Sequence, residues 1–294
     1  MGFVPPDADR RLRAIGPVGD LPVALQRALD PDDFFEAVPQ PGPKDWLNVA
    51  AEKGQGYEGF TRTATNRPNG SRQHIYVQPL GDFSDSQHAL LRQLQQFGSA
   101  FFARDVRLLP AIAVAENGIT ERRNRYTDVT QLKTRDILPL LSRRLPSDAS
   151  CLLAVTVLDL YPGEGWSFVF GEAILDERVG VFSIARYDPR FYDKPADPVL
   201  LLQRSCKVLA HETCHMFGVR HCIFFNCLMN GSNHLAESDR RPLDLCPVDL
   251  RKLHWSLGFD IVERYRHLLE FWRAAGVAGA ADWLERRLAF IEGG

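Results

Sequence analysis

The sequence lacks any apolar run of about 18 residues, the length that a membrane-spanning helix needs. Its first residues, MGFVPPDADRRLRAIG, also lack the apolar core of a secretory signal peptide. An N-myristoylation signal needs Ser or Thr at the sixth position, where this chain has Pro6. We therefore expect no membrane partner, and we predict a soluble protein in the cytoplasm.

An excess of charge of either sign is also lacking. The chain has 35 Lys and Arg against 37 Asp and Glu, which gives a formal net charge of −2. Proteins that bind nucleic acid usually present a strongly basic surface, so we predict no nucleic-acid partner. With 294 residues, of which 45% are hydrophobic, the chain is long enough to bury a sizeable core. These values predict a globular protein and leave the oligomeric state open.

Cysteines are few, and half of them are clustered. Six occur, and three of the last four stand close to one another in the chain, at Cys222, Cys227 and Cys246. In a reducing compartment such a cluster favours metal binding over disulfides. The spacing of Cys206 and Cys214 in the chain does not indicate metal ligands, and packing in the core is the favoured interpretation of both.

The composition of the sequence changes near residue 70. Residues 1–70 are rich in Pro, Gly and Asp, which predicts a partly irregular N-terminal extension with one or two short helices. From 71 to about 275 strand-like and helix-like segments alternate, and 276–294 predict a C-terminal helix. The order favours an α/β (α+β) fold with a mixed, twisted sheet. Strands are predicted at 74–81, 106–114, 151–161, 168–171 and 179–187, and helices at 84–103, 134–144, 200–219, 250–257 and 261–275.

The most informative motif is HETCHMFGVRH, from His211 to His221, which has the form HExxHxxGxxH. On a helix, His211 and His215 lie on one face a single turn apart and can bind one metal ion. Gly218 can adopt the left-handed conformation that ends a helix, so the chain can turn and bring His221 to the same ion. Three imidazoles around an open position are typical of catalytic zinc.

Glu212 is the predicted general base. It follows His211 directly, so its side chain points in a different direction from the ligating imidazole. The carboxyl group can still reach towards the open coordination position. Zinc lowers the pKa of a bound water to about 7, so a carboxylate nearby can take the proton as water attacks a carbonyl carbon. Glu212 could then pass that proton to the leaving amine.

A second metal site is indicated by the clustered cysteines. Cys222 and Cys227 have a knuckle-like spacing, and Cys246 is followed three residues later by Asp249. Structural zinc is tetrahedral and usually takes thiolates, so this set is one thiolate short. Asp249 is a candidate for the fourth ligand, as are His234, His254 and water. The alternative is that these cysteines are buried thiols without metal.

The same residues resemble the archaemetzincins, a branch of the metzincin zinc peptidases. The signature of that family is HExxHxxGxxHC, four residues, CxM and a later CxxC, and the resemblance extends over about residues 74–270. Matching segments include LQRSCK, GSNHL, DRRPL, GFDIVERY, DLYP and WSFVFG. The matching motif positions are His211, Glu212, His215, Gly218, His221, Cys222, Cys227, Met229 and Cys246. Asp249 departs from the pattern, because the family has a cysteine there.

The resemblance implies an archaemetzincin-like catalytic domain over 71–275, metzincin-like in fold, with an active-site helix and a zinc-bearing C-terminal subdomain. It implies two zinc ions per chain, one on the three histidines and one on the cysteines. It also implies that Met229 lies in a Met-turn beneath the catalytic ion. An extended peptide could pair with an edge strand, which we place within residues 179–187.

The predicted function is therefore that of a zinc metallopeptidase acting on peptides or small proteins. The alternative, from another class, is a zinc-stabilised binding or adaptor protein with little turnover.

Overall fold

A computed structural model of the chain describes residues 2–31, 34–64, 66–175 and 177–293. Over these residues the helices are α1 (Ala8–Ile15), α2 (Val23–Ala28), α3 (Trp46–Val49), α4 (Tyr57–Thr63), α5 (Asp85–Phe102), α6 (Thr134–Arg144), α7 (Pro198–Met216), α8 (Leu235–Asp239), α9 (Pro247–Leu257), α10 (Ile261–Ala274) and α11 (Ala278–Glu292). The strands are β1 (His74–Leu80), β2 (Val106–Leu108), β3 (Glu121–Arg123), β4 (Thr130–Lys133), β5 (Ala149–Thr156), β6 (Asp159–Tyr161), β7 (Gly171–Ile174) and β8 (Val179–Ser183). The fold is mixed α/β.

The chain forms two compact units. One consists of Met1–Thr65 and Gly218–Gly294, and the other of Asn66–Phe217. The predicted functional division at residues 70 and 275 stays a prediction. None of the helices within the described residues is long and apolar enough to span a membrane.

The second unit contains the sheets. Its five-stranded sheet has the order β2-β1-β5-β8-β7, in which all neighbours are parallel except β7 and β8. A smaller sheet has the order β3-β4-β6. Helix α6 supplies Ile137 and Leu141 to a buried apolar cluster that also contains Leu152 of β5. Helices α5 and α7 pack against each other, and α7 also contacts β5, β7 and β8.

The edge strand differs from the prediction. We expected it within residues 179–187, but β8 lies between β5 and β7, and all of its residues are buried. The edge strand next to β8 is β7, whose residues are half-buried. The prediction was wrong because VGVFS has the stronger apolar pattern, and such a pattern is typical of an interior strand.

The predicted strand at 151–161 is divided between the two sheets. Strand β5 ends at Thr156, whose side-chain Oγ1 accepts a hydrogen bond of 3.1 Å from the Leu158 amide. After this local turn the chain leaves the five-stranded sheet, and β6 pairs with β4 in the smaller sheet. The apolar run is continuous, so periodicity alone could not reveal the break.

Helix α7 covers Pro198–Met216, whereas the sequence predicted a helix at 200–219. The Asp197 side chain accepts a hydrogen bond of 2.9 Å from the Leu200 amide, and Pro198 occupies the first turn. The helix ends at Met216, and Gly218 has a φ of +84°. That conformation favours glycine and directs the chain away from the helix axis towards His221.

The first unit is built from helices. Its N-terminal part contains four short helices within the described residues, α1 to α4, rather than the one or two expected. Helix α9 contacts α1 and α4, and α11 contacts α2 and α10. The predicted C-terminal helix is therefore α11, and its buried face includes Leu284 and Leu288.

Candidate metal centres

His211 and His215 lie one turn apart on α7, and their imidazole tips converge. The two Nε2 atoms are 3.0 Å apart, and the rings are nearly perpendicular at 89°. A tetrahedral zinc ion with Zn–N bonds of about 2.0–2.1 Å holds two nitrogens about 3.3 Å apart. The pair therefore fits a shared metal ion with little adjustment.

Glu212 points its carboxyl group towards strand β7. The residue is 7% exposed, and a Cβ atom added to Gly171 would lie 2.7 Å from the Glu212 Oε1. Burial, and secondarily the negative charge of Glu172, raise the pKa of Glu212 to about 8. A divalent cation at the adjacent histidines would lower that pKa. The buried carboxyl thus lies between the sheet edge and the histidine pair.

His221 lies in the first unit, six residues after His215 in the chain. Its Nδ1 is 2.8 Å from the Glu52 Oε1, and its ring makes an edge contact with Trp46 at 5.3 Å between centroids. The hydrogen bond to His221 is the main reason that the pKa of Glu52 lies below its usual value, although burial opposes it.

The side chains predicted as ligands of the second metal site lie close together. Cys222, Cys227, Cys246 and Asp249 are buried, and their ligand atoms lie within 4.8 Å of one another. The Sγ atoms of Cys222 and Cys246 are 3.6 Å apart, far from disulfide length. A tetrahedral zinc with Zn–S bonds of about 2.3 Å separates two sulfurs by about 3.8 Å. The cluster therefore fits one zinc ion.

Asp249 turns one carboxylate oxygen towards the sulfurs and the other towards a lysine. Oδ2 lies 3.3 Å from the Cys227 Sγ and 3.4 Å from the Cys246 Sγ. Oδ1 is 2.7 Å from the Nζ of Lys252, whose side chain is 1% exposed. Burial, and next the charge of Cys222, raise the pKa of Asp249 to about 7. The lysine compensates part of the negative charge that three thiolates and a carboxylate would concentrate here.

The other candidates for the fourth position lie elsewhere. Both ring nitrogens of His234 are occupied, since Nε2 is 3.1 Å from Asp45 Oδ1 and Nδ1 accepts from the Glu237 amide at 3.2 Å. The ring of His254 packs edge-on against Phe259 at 5.3 Å. Of the candidates that the sequence offered, Asp249 is the side chain that the fold brings into the cluster.

A third group of side chains that could hold a metal ion consists of Asp45, His234 and Glu237. Its carboxylates already accept hydrogen bonds from other groups of the protein. Both Glu237 oxygens are within 3.0 Å of the Trp46 amide, and Arg241 approaches Oε1 at 2.7 Å. Arg240 pairs with Asp45 at 2.8 Å. These contacts tie the N-terminal segment to the loop around α8, which is a structural role.

The remaining predicted residues are buried. Met229 is 0% exposed, and its carbonyl accepts a hydrogen bond of 2.8 Å from the Cys222 amide. It thus belongs to the turn of the cysteine cluster, while its role as a floor beneath a catalytic ion stays a prediction. Cys206 and Cys214 are buried in α7, and burial raises the pKa of the Cys206 thiol well above its usual value. A neutral core thiol fits the interpretation of Cys206 as packing.

Sequence reasoning missed four side chains or positions. Lys252 could have been found, because it stands three residues after Asp249 on a predicted helix. Glu52 and Trp46 lie in a segment without a recognisable pattern, and the contact of Gly171 with Glu212 depends on how β7 packs against α7. No local signal in the sequence pointed to these three.

Comparisons with known proteins identify the family to which the chain is related. Residues 149–255 match the family described as Peptidase family M54. Archaemetzincin-2 of Macaca fascicularis is 36% identical over 278 residues, which cover 84% of this chain and 77% of that protein. Archaemetzincin-1 of Homo sapiens is 37% identical over 261 residues, which cover 78% of this chain and 52% of that protein. The crystal structure of archaemetzincin from Methanopyrus kandleri is similar with a TM-score of 0.52 at 27% identity, covering 65% of this chain and 99% of that one.

A peptidase-family match around an HExxH helix in a mixed α/β fold defines a zinc metallopeptidase. Within that class, the chain belongs to the archaemetzincin family.

Proposed function

We propose that the chain hydrolyses peptide bonds with a zinc ion held by His211, His215 and His221, and with Glu212 as the general base. The observation that carries this proposal is the position of Glu212. It is buried on the helix of the converging imidazole pair, in the space left by the absent side chain of Gly171. The family to which the chain belongs supports the proposal.

A zinc ion held there would lower the pKa of a water molecule to about 7 and polarise the substrate carbonyl. Glu212 would take a proton from the attacking water and pass it to the leaving amine. The buried setting of Glu212 limits competing hydration of the carboxyl group. His211 and His215 keep their orientation because both are anchored on α7.

The substrate in this proposal is an extended peptide or a segment of a small protein. Strand β7 is one of the two edges of the five-stranded sheet, and its first residue, Gly171, faces Glu212. A peptide that pairs with this edge by backbone hydrogen bonds runs beside the general base. Recognition then depends mainly on the peptide backbone near the scissile bond.

A second zinc ion completes the proposal, held by Cys222, Cys227, Cys246 and the Oδ2 of Asp249. The hydrogen bond of Lys252 to Oδ1 favours the orientation in which Oδ2 faces the sulfurs. The site is closed and buried, and this is typical of structural rather than catalytic zinc.

The test of the mechanism is Glu212→Ala. The variant should retain zinc at both sites, since Glu212 is not a ligand, while cleavage falls by a factor on the order of 10²–10⁴. Zinc is quantified by metal analysis, and cleavage by mass spectrometry of a peptide library with and without chelator. Glu116→Ala, which removes an exposed carboxylate of the same unit, is the matched control and should behave as wild type.

Two results would contradict the proposal. An active Glu212→Ala variant would remove Glu212 from the mechanism. A wild-type protein that holds zinc and retains library peptides without cleaving any would favour the zinc-stabilised binding protein.

The cysteine site is tested separately with Asp249→Cys. A fourth thiolate is a softer ligand than a carboxylate, so this variant should bind zinc more tightly in a competition with chelator. The cobalt-substituted protein should also gain intensity in its thiolate-to-cobalt charge-transfer band. An unchanged affinity and spectrum would mean that Asp249 is not a ligand.

A further inference from the structure

His221 differs from the other two histidines in its local support. His211 and His215 are fixed by the backbone of α7, whereas His221 follows the turn at Gly218 and belongs to no helix or strand. An imidazole on irregular chain must obtain its orientation and its tautomer from neighbouring side chains. The structure shows which side chains can provide them.

The Glu52 carboxylate contacts the His221 ring. Its Oε1 lies 2.8 Å from Nδ1, and the two side chains are 23% and 22% exposed. An ionised carboxylate can only accept hydrogen bonds, so Nδ1 must carry the proton. In the neutral ring this leaves the lone pair on Nε2, the nitrogen on the far side, where a metal ion can bind.

We propose that Glu52 is a positioning residue of the catalytic zinc site, which orients His221 and fixes the tautomer that binds metal through Nε2. This inference rests on the proposed function, and it assigns part of the metal site to the N-terminal segment. Carboxylate partners of this kind also raise the basicity of a ligating histidine.

Trp46 holds the Glu52 carboxylate in place. Its indole Nε1 donates to the same Oε1 at 2.9 Å, and its ring makes the edge contact with His221. The indole also occupies the space beside Gly231, where an added Cβ atom would overlap the Trp46 ring. The Trp46 amide is in turn bound by Glu237. The carboxylate is thus part of a fixed network rather than a mobile surface group.

Gln55 fixes the backbone on the other side of His221. Its Nε2 donates to the Gly218 carbonyl at 3.1 Å, and its Oε1 accepts from the Arg220 amide at 3.1 Å. Gln55 is 8% exposed, so both hydrogen bonds are shielded from water. One short segment, residues 46–55, therefore holds both the backbone before His221 and the His221 ring.

The experiment compares Glu52→Ala and Glu52→Gln in the full chain. Zinc-loaded protein is titrated with a chelator, and the phase that disappears in His221→Ala identifies the histidine site. For that phase Glu52→Ala should raise the zinc dissociation constant about 10–100-fold. Glu52→Gln should raise it less, because the amide oxygen can still accept from Nδ1. Glu58→Ala, which removes an exposed carboxylate a few residues along the same part of the chain, should leave it unchanged.

A spectroscopic measurement separates positioning from general stabilisation. Long-range ¹H–¹⁵N spectra of the histidine side chains should show His221 protonated at Nδ1 in wild type and in Glu52→Gln. In Glu52→Ala this preference should weaken, while the chelator phase of the cysteine site stays unchanged. If wild type binds zinc at the histidine site and Glu52→Ala binds it equally well, the inference about Glu52 fails and the proposed function stands. If wild type has no histidine phase, the proposed function itself fails.

Discussion

At the scale of single residues, the space around Glu212 depends on Gly171. An added Cβ atom at position 171 would lie 2.7 Å from the Glu212 Oε1 and 2.8 Å from its Cδ. Both distances are shorter than normal van der Waals contact, so the carboxyl group would have to move. Position 171 therefore affects the place of the Glu212 carboxyl group through close packing, without any unusual backbone conformation.

We therefore predict that Gly171→Ala lowers kcat while zinc binding persists. The methyl group displaces the Glu212 carboxyl, and a displacement of about 1 Å of a catalytic group can reduce the rate on the order of 10²-fold. The three atoms nearest to the added methyl group all belong to Glu212, which is not a proposed ligand, so metal analysis should give the wild-type zinc content. Steady-state kinetics on a cleaved library peptide measures the effect.

The matched control for this prediction is Gly163→Ala in the same unit. There an added Cβ atom would meet only the Arg135 side chain, at an ordinary 3.7 Å. This variant should retain wild-type kcat. Equal activity of the two variants would mean that Glu212 can adopt a second productive position.

At this scale, the candidate metal ligands could be predicted from the sequence, whereas their tertiary partners could not. The histidines and cysteines could be proposed as ligands from the sequence, because metal ligands in zinc sites recur at short, fixed spacings. The Glu52 partner of His221 stands 169 positions away in the chain. Contacts of that kind follow from tertiary packing, and a single sequence carries no local trace of them.

At the scale of elements, α7 depends on its first turn. Asp197 caps the helix by accepting from the Leu200 amide, at a position well before the metal-binding turn. A side-chain cap satisfies a backbone donor that has no partner within the helix. Its contribution is therefore to stability rather than to chemistry.

Asp197→Ala should lower the free energy of unfolding by about 1 kcal/mol, the usual contribution of an N-cap. Catalytic activity per folded molecule should remain, since the cap does not touch the histidines. Urea denaturation followed by circular dichroism measures the first quantity, and zinc-loaded activity the second. Asp82→Ala, at an exposed position of the same unit, is the control and should leave the unfolding free energy within about 0.5 kcal/mol of wild type.

Sequence patterns predicted the elements better than their places in the sheet. The N-caps of α5 and α7 are local features, because Ser84 and Asp197 act within three residues of their partners. The edge strand was assigned wrongly, because the position of a strand depends on pairing between distant segments. Local chemistry defines where an element begins, and the rest of the chain defines what lies beside it.

At the scale of the whole molecule, the cysteine cluster joins distant parts of the first unit. Cys222 and Cys227 lie in irregular chain, whereas Cys246 and Asp249 belong to the start of α9. The irregular segment also pairs with the N-terminal part, since Ala37 and Phe225 form an isolated bridge. A zinc ion at this cluster would therefore stabilise contacts far beyond its four ligands.

We predict that zinc removal loosens the first unit around this cluster. Binding of a metal to the folded state alone adds to stability by mass action, so its removal takes that contribution away. Hydrogen exchange with and without chelator should show faster exchange in residues 222–249 and in the segment around Ala37. Strands β1 and β5 of the second unit hold no ligand and should keep their protection.

Two variants distinguish the contributions of the metal sites to this effect. Cys227→Ser should show the faster exchange even with zinc present, because it removes a ligand of the cysteine cluster. His211→Ala should keep wild-type protection in residues 222–249, because its loss affects only the histidine site. If chelator leaves the exchange of residues 222–249 unchanged in wild type, the cluster is held by packing and hydrogen bonds alone, among them the Asp249–Lys252 ion pair.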